Sequence, residues 1–270
     1  MIVTILGSGT GIPHPDRASP GFVVQIEKRT LLIDPSAGSL QRMARLDLSF
    51  RDVGTVLFSH YHPDHSGDLL PLLFARRIEG LNTPLDLIGP AGLRDFFAGL
   101  VRLYGSWVAD LEQELAFQEI GHWEGDYPSW TLQSVPVDHT DHSLGYRWNL
   151  SDGASFAYSG DTDYCSGLIR LAKDADVALI EASHPHPFKV SGHLSGLTAG
   201  RAASQAGVRR LILHHRYPLW DNHDLLAEVR QGGFEGPAEP ARDGMQIEIS
   251  RRDAEAQKRG RRQKGEEKGQ

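Results

Sequence analysis

The chain has 270 residues, 40% of them hydrophobic and 23% charged, a composition that excludes fibrous and wholly disordered classes and suits one sizeable domain. A formal charge of -7 argues against a broad nucleic-acid surface, because phosphate contacts are made by Lys and Arg. A single cysteine, Cys165, excludes an intrachain disulfide and any multi-cysteine zinc site, while thirteen histidines stand out.

Runs rich in Val and Ile between Gly, Pro or Asp predict strands, and Leu, Ala or Phe at helical spacing predicts helices. In chain order the reading is strands Ile2–Leu6, Phe22–Ile26 and Leu31–Ile33, helix Ser36–Leu46, strand Val56–Phe58, helix Asp68–Ile78, strand Leu85–Ile88 and helix Leu93–Tyr104. Strands Trp130–Val137, Gly145–Asn149 and Phe156–Tyr158 come next, then helix Leu168–Lys173, strand Val177–Ile180 and helix Leu197–Ala206. Strand Leu211–Leu213, helix Asp224–Gln231 and strand Met245–Ile249 complete the body. An early meander of hairpins followed by strand–helix alternation implies an α/β fold, a four-layer αββα sandwich. Residues 1–250 are expected to form this one domain.

The last twenty residues, 251–270, carry eight Lys/Arg against four Asp/Glu, so the rest of the chain carries -11. With no large apolar residue, this tail is expected to be disordered. The longest apolar stretch, near Leu69 to Ala75, is broken by Pro71 and falls short of the ~20 residues of a spanning helix. The opening Met1–Gly7 has no basic stretch and reaches glycine too early for a signal peptide. A cytoplasmic protein without a membrane partner is the expectation.

The strongest chemical signal is Ser59-His60-Tyr61-His62-Pro63-Asp64-His65-Ser66-Gly67-Asp68, directly after the strand Val56–Phe58. Residues two apart in extended backbone point the same way, so His60 and His62 can grip one metal. Pro63 then redirects the chain, which lets Asp64 and His65 turn toward a second. Imidazole and carboxylate are zinc ligands of the right softness. Further ligand types stand at the C-terminal ends of predicted strands: His139, Asp161 and His215. A carboxylate can bridge two metals through its two oxygens, which makes Asp161 the best bridging candidate.

These segments, together with Ser143-Leu144-Gly145-Tyr146-Arg147, Ser159-Gly160-Asp161-Thr162 and Leu211-Ile212-Leu213-His214-His215, resemble in order the motifs of the metallo-β-lactamase superfamily. The Gly7-to-Gly11 opening is similar to that of the ribonuclease Z branch and its phosphodiesterase relatives. The resemblance implies one zinc held by His60, His62, His139 and Asp161, and another held by Asp64, His65, Asp161 and His215. Mn2+ and Fe2+ are alternative metals. It also implies a proton donor, His193, held by Glu181, so that Asp64, His193 and Glu181 are the expected catalytic residues. A carboxylate beside an imidazole keeps it protonated near neutrality.

Among the other histidines, His214 is expected to be structural, and His184 and His186 to lie in a loop that either rims the pocket or is plain surface. His142 is either a turn residue or an orienter of His139. His14, His122 and His223 read as solvated. The aromatic segment holding Trp107, Trp123, Tyr127 and Trp130 reads as packing. Gly7–Gly11 reads as a tight turn beside the metals.

Histidine at position 62, where the diiron flavoprotein relatives have glutamate, argues against an oxygen-reducing iron site. Many bacterial ribonuclease Z enzymes place a transfer-RNA-gripping arm between their third and fourth ligand motifs. Here His139 and Asp161 are 22 positions apart, too few for it. The preferred function is hydrolysis of a small phosphodiester by a hydroxide bridging two metals, with RNA as a less favoured partner. Transfer RNA 3'-processing is the main alternative, and thioester, lactone or sulfate-ester hydrolysis could use the same site. A metal-binding regulatory module without turnover is the non-enzyme alternative. A homodimer is left open.

Overall fold

In the computed structural model, which describes residues 1–250, neighbouring residues of the central strands enter different cores. Leu31 and Ile33 pack inward between two sheets, while Leu32 packs outward with Val56, Leu72 and Phe97. In the second half Leu179 and Ile212 face inward, whereas Ala178, Ile180, Leu211 and Leu213 face outward. Strands covered on both faces need apolar residues at nearly every position, which is why these runs are unbroken in the sequence.

The first sheet has the order β14 (Gln246–Glu248), β1 (Ile2–Gly7), β2 (Gly21–Ile26), β3 (Arg29–Ile33), β4 (Val53–Leu57), β5 (Leu85–Gly89), β6 (Leu115–Glu119). The second runs β13 (Ala238–Pro240), β12 (Arg210–His214), β11 (Val177–Glu181), β10 (Ser155–Tyr158), β9 (Leu144–Leu150), β8 (Trp130–Pro136), β7 (Trp123–Tyr127). Antiparallel pairing joins β14, β1, β2 and β3 and joins β7 through β10, while β3 to β6 pair in parallel, as do β10 to β13.

Helices α1 (Ser39–Arg45), α3 (Leu69–Ile78) and α4 (Leu93–Tyr104) cover the first sheet, with the short α2 (Pro63–Ser66) at its edge and α5 (Ser106–Ala109) beyond α4. Helices α6 (Ser166–Leu171), α7 (Gly196–Ala206) and α8 (Leu225–Gln231) cover the second. The four-layer αββα class expected from the sequence is the architecture found.

The strand–helix alternation expected after the first hairpins is found, with parallel pairing beginning at β3 and β4. Two expectations need correction. Strands β6, β7 and β13 were not anticipated; β6 and β7 are half-exposed sheet edges that need few apolar residues. Helix α1 starts at Ser39 rather than Ser36, since Asp34 and Gly38 adopt left-handed backbone with φ 47° and 89° and turn the chain first. The expected aromatic packing is observed at Trp130, which is buried with its ring stacked on Tyr127 at 3.7 Å, but not at Trp107, which is exposed. The tail expected to be disordered lies outside the described residues. Among the described residues no helix is long and apolar enough to cross a membrane.

Candidate metal centre

Parallel strands deliver their C-terminal ends to one edge of a sheet, and connecting loops can place polar groups there. Beyond β4 come His60, His62, Asp64 and His65, the last two on α2, whose first residue is Pro63. The loop after β8 supplies His139, the turn after β10 supplies Asp161, and the residue after β12 is His215. Gly160 precedes Asp161 with φ 60°, and a Cβ there would stand 2.7 Å from the Leu144 carbonyl oxygen, so the turn requires glycine. His215 itself has φ 54°, a left-handed conformation that few residues other than glycine adopt.

The structure brings all seven sequence-identified side chains together, with ligand atoms grouped within 4.8 Å of one another in overlapping threes. His60 Nε2 is 3.0 Å from His62 Nδ1, which is 3.1 Å from His139 Nε2. Asp161 Oδ2 lies 3.2 Å from His215 Nε2, 3.3 Å from His65 Nε2, 3.9 Å from His139 Nε2 and 4.0 Å from His60 Nε2. Asp64 Oδ2 is 3.5 Å from His215 Nε2. Asp161 therefore touches both groups.

The far nitrogens of four rings fix their tautomers. His65 Nδ1 donates to the Asp34 carboxylate at 2.9 Å, and His139 Nδ1 donates to the Gly192 carbonyl at 2.9 Å. Ser59 Oγ spends its proton on Asp34 at 2.7 Å and so accepts from His60 Nδ1 at 3.0 Å. Ser183 Oγ spends its own on Glu181 at 2.6 Å and accepts from His215 Nδ1 at 2.9 Å. In its neutral form each ring then turns an unprotonated Nε2 inward, the form that ligates a metal.

His60 Nε2, His62 Nδ1 and His139 Nε2 thus converge, an arrangement that repels unless a cation or proton lies among them. Buried His65 Nε2, His215 Nε2 and Asp161 Oδ1 have no hydrogen-bond partner among the described residues. Leaving buried polar atoms unpaired costs about 1–3 kcal/mol each. The donor set fits divalent cations, which would satisfy all of them at once.

Electrostatics agree. Burial, then His65 and the other neighbouring imidazoles, holds His60 well below its ordinary pKa, and burial followed by His139 lowers His62. Burial works to raise Asp161, but the charges of His215 and His65 outweigh it and hold the carboxyl well below its usual range. Asp64 is shifted down in the same way: burial opposes, and the neighbouring imidazoles of His215 and His65 prevail. Burial would also lower His65, yet Asp161 and Asp34 raise it. The site holds negative oxygens and draws positive charge.

Beside this cluster, His193 Nδ1 donates to Glu181 Oε1 at 3.0 Å. Glu181 is fully buried at the end of β11 and accepts from Thr162 N at 2.6 Å and Leu194 N at 3.2 Å as well. Burial lowers His193, but the hydrogen bond and charge of Glu181 override it and raise the imidazole to about 9. His193 stands at the cluster: its ring is 4.6 Å from that of His139 and 5.6 Å from that of His215.

Asp34 was missed. Buried at the end of β3, it accepts from Ser59 N at 2.6 Å, Ser59 Oγ, His65 Nδ1 and Tyr158 Oη, the last at 2.5 Å. A polar residue following a predicted strand, the criterion that singled out His139, Asp161 and His215, would also have found Ile33-Asp34-Pro35. Ser59, directly after the predicted strand Val56–Phe58, meets the same criterion, and Ser183 stands as far past its predicted strand as Asp161 does past its own.

Gly11 N donates to Asp64 Oδ2 at 2.9 Å, so the glycine turn does lie beside the cluster. His214 is buried against Tyr158 and belongs to none of the ligand groups. His14 is not free in solvent, because its Nε2 pairs with Asp221 at 2.9 Å. His223 Nδ1 bonds the Leu219 carbonyl at 2.9 Å and its ring packs on Phe188. His142 does not orient His139, whose Nδ1 is taken by Gly192. His184 stacks on Tyr217, and His186 Nδ1 is 3.0 Å from Ser195 Oγ.

A profile described as "Beta-lactamase superfamily domain" matches residues 29–216. The chain belongs to the beta-lactamase superfamily. It is a hydrolase of that superfamily by its relatives. An uncharacterised protein of Mycobacterium tuberculosis is 35% identical over 247 residues, 87% of this chain and 87% of that one. A protein named ribonuclease Z from Mycobacterium avium is 32% identical over 243 residues, 80% of this chain and 86% of that one. The crystal structure of the metallo-β-lactamase fold protein YhfI from Bacillus subtilis matches with a TM-score of 0.78 at 23% identity, covering 91% of this chain and 98% of that one.

Proposed function

We propose that this superfamily member is a dinuclear, zinc-dependent phosphodiesterase acting on a small phosphodiester, with residues 1–250 as its hydrolase domain. The observation that carries the reading is the convergence of seven donors, three with buried unpartnered atoms, beside a Glu181-held imidazole. His60, His62, His139 and Asp161 would hold one cation, and Asp64, His65, Asp161 and His215 the other. Bound there, two divalent cations would supply a nucleophile at neutral pH and neutralise charge on phosphoryl oxygens. Asp34, Ser59 and Ser183 keep the ligand nitrogens deprotonated by occupying the opposite ring positions. Glu181 holds a proton on His193 Nδ1, which leaves the ring able to give its other proton to a departing alkoxide.

A small substrate is favoured because the span from His139 to Asp161 is taken up by β9, β10 and their turns, and because the body carries -11. The named ribonuclease Z relative favours a second reading, cleavage of precursor transfer RNA. A panel of chromogenic phosphodiesters, phosphomonoesters, thioesters and lactones beside a transfer RNA precursor separates them. Turnover confined to thioesters or lactones would remove the phosphodiesterase reading, and efficient site-specific RNA cleavage would put the second reading first.

A further inference from the structure

We propose that the Tyr217 hydroxyl contacts a phosphoryl oxygen of the substrate and that His184 is the positioning residue that holds its ring, an inference that rests on the phosphodiesterase reading. The segments after β11 and β12 run side by side, with Tyr217 N donating to the Ser183 carbonyl at 3.1 Å. The His184 and Tyr217 rings stack at 4.2 Å with an interplanar angle of 23°. His184 lies 6.4 Å from the His193 ring, Tyr217 lies 6.0 Å from the His215 ring, and His193 and His215 are nearly parallel at 5.6 Å. Four rings therefore close a wall on one flank of the ligand cluster.

Two members of that wall have their polar edges committed: His193 Nδ1 to Glu181, and His215 to Ser183 through Nδ1 with Nε2 turned to the ligand cluster. The half-buried Tyr217 hydroxyl makes no hydrogen bond to a described residue, and the carboxylates acting on it are Asp64, Asp161 and Glu181. A phenol hydroxyl is a neutral donor at neutral pH. An anionic phosphodiester entering the cluster brings acceptor oxygens, and with His193 assigned to the leaving group Tyr217 can donate to one of the others. A hydrogen bond to a charged group is stronger than a neutral one. Because the stack fixes the ring before substrate arrives, little rotamer freedom is lost on binding.

Tyr217→Phe keeps the ring and the stack and removes only the hydroxyl. On the zinc-loaded full chain it should lower kcat/KM for bis(4-nitrophenyl) phosphate about ten- to a hundredfold. It should weaken inorganic phosphate, measured by calorimetric titration, at least about fivefold, with zinc content and unfolding midpoint unchanged. His184→Ala should reproduce part of the loss, and His184→Phe, which restores a flat ring, should recover most of it. Values within twofold of wild type on both readouts overturn the proposal, as does a loss accompanied by loss of zinc, which would make Tyr217 a support of the ligands. Equal effects of His184→Ala and His184→Phe overturn the positioning role. If wild type turned over no phosphodiester, the functional reading would fail on its own. The phosphate titration would still decide whether Tyr217 contacts a phosphoryl oxygen.

Discussion

Asp34→Asn probes the proton bookkeeping of the site without altering its shape. Asparagine is nearly isosteric with aspartate and tolerates the left-handed backbone at this position, φ 47°. Asp34 Oδ1 accepts from Ser59 N, while Oδ2 accepts from Ser59 Oγ, His65 Nδ1 and Tyr158 Oη. An amide has one oxygen and one NH2, so one side of this arrangement must meet donor with donor. If the NH2 faces Ser59 N, a buried backbone N–H is orphaned at about 1–3 kcal/mol. If it faces His65, the ring can accept only by moving its proton to Nε2, the atom aimed at Asp161. Weakening the remaining charge-assisted bonds adds about 1 kcal/mol or more.

The expected cost is about 3–4 kcal/mol of a stability that is typically about 5–15 kcal/mol, so the variant should still fold. Urea unfolding of the metal-free protein measures that part. Competition with a chromophoric chelator measures the other, where a support removed behind a ligand should weaken zinc about 10–100-fold. Stability within about 1 kcal/mol of wild type together with unchanged zinc affinity would refute the tautomer reasoning, because neither branch of the choice would then have been felt.

Protein purified without chelator should carry close to two equivalents of zinc by elemental analysis, and Asp161→Ala, which removes the carboxylate touching both ligand groups, should lose metal and activity together. A variant with both metals intact would deny Asp161 its central place. His193→Ala should keep its metals and lose about 10²–10⁴-fold in turnover of an alkyl phosphodiester, but far less with a nitrophenolate leaving group that needs little protonation; equal losses on both substrates would falsify the acid assignment. Deleting residues 251–270 removes eight Lys/Arg and none of the site residues, so small-phosphodiester turnover should be unchanged while any RNA affinity falls and its salt dependence flattens. Undiminished RNA binding by the shortened chain would place the RNA contact elsewhere.

The ligands were legible because the chemistry concentrates them: four fall within six residues after one strand, and three more stand alone at strand ends. Strand positions were legible for the same reason the fold is stable, since faces buried on both sides write themselves as Val, Ile and Leu. Edges are written faintly. Strand β7, Trp123–Tyr127, alternates half-buried and exposed positions and carries a glycine and two acids, so nothing in its composition separates it from a loop. The supports were legible least. A buried serine such as Ser59 or Ser183 acquires its role only when a carboxylate from elsewhere in the chain takes its proton, Asp34 in one case and Glu181 in the other.

That dependence explains why the site sits on the seam. His60, His62, Asp64, His65 and Asp34 come from the first sheet, while His139, Asp161, Glu181 and His215 come from the second. The two are joined under the site by Tyr158 Oη on Asp34, by Tyr146 Oη on the Phe58 carbonyl at 2.7 Å, and by Leu144 N on the Ser59 carbonyl at 2.9 Å. Tyr146 and Tyr158 are fully buried, and their hydroxyls find the partners they need on the opposite sheet. The bonds that satisfy them also fix the relative height of the two strand edges. Registration of the sheets and registration of the ligands are therefore one constraint, set by buried polar groups in the seam rather than by the ligands themselves.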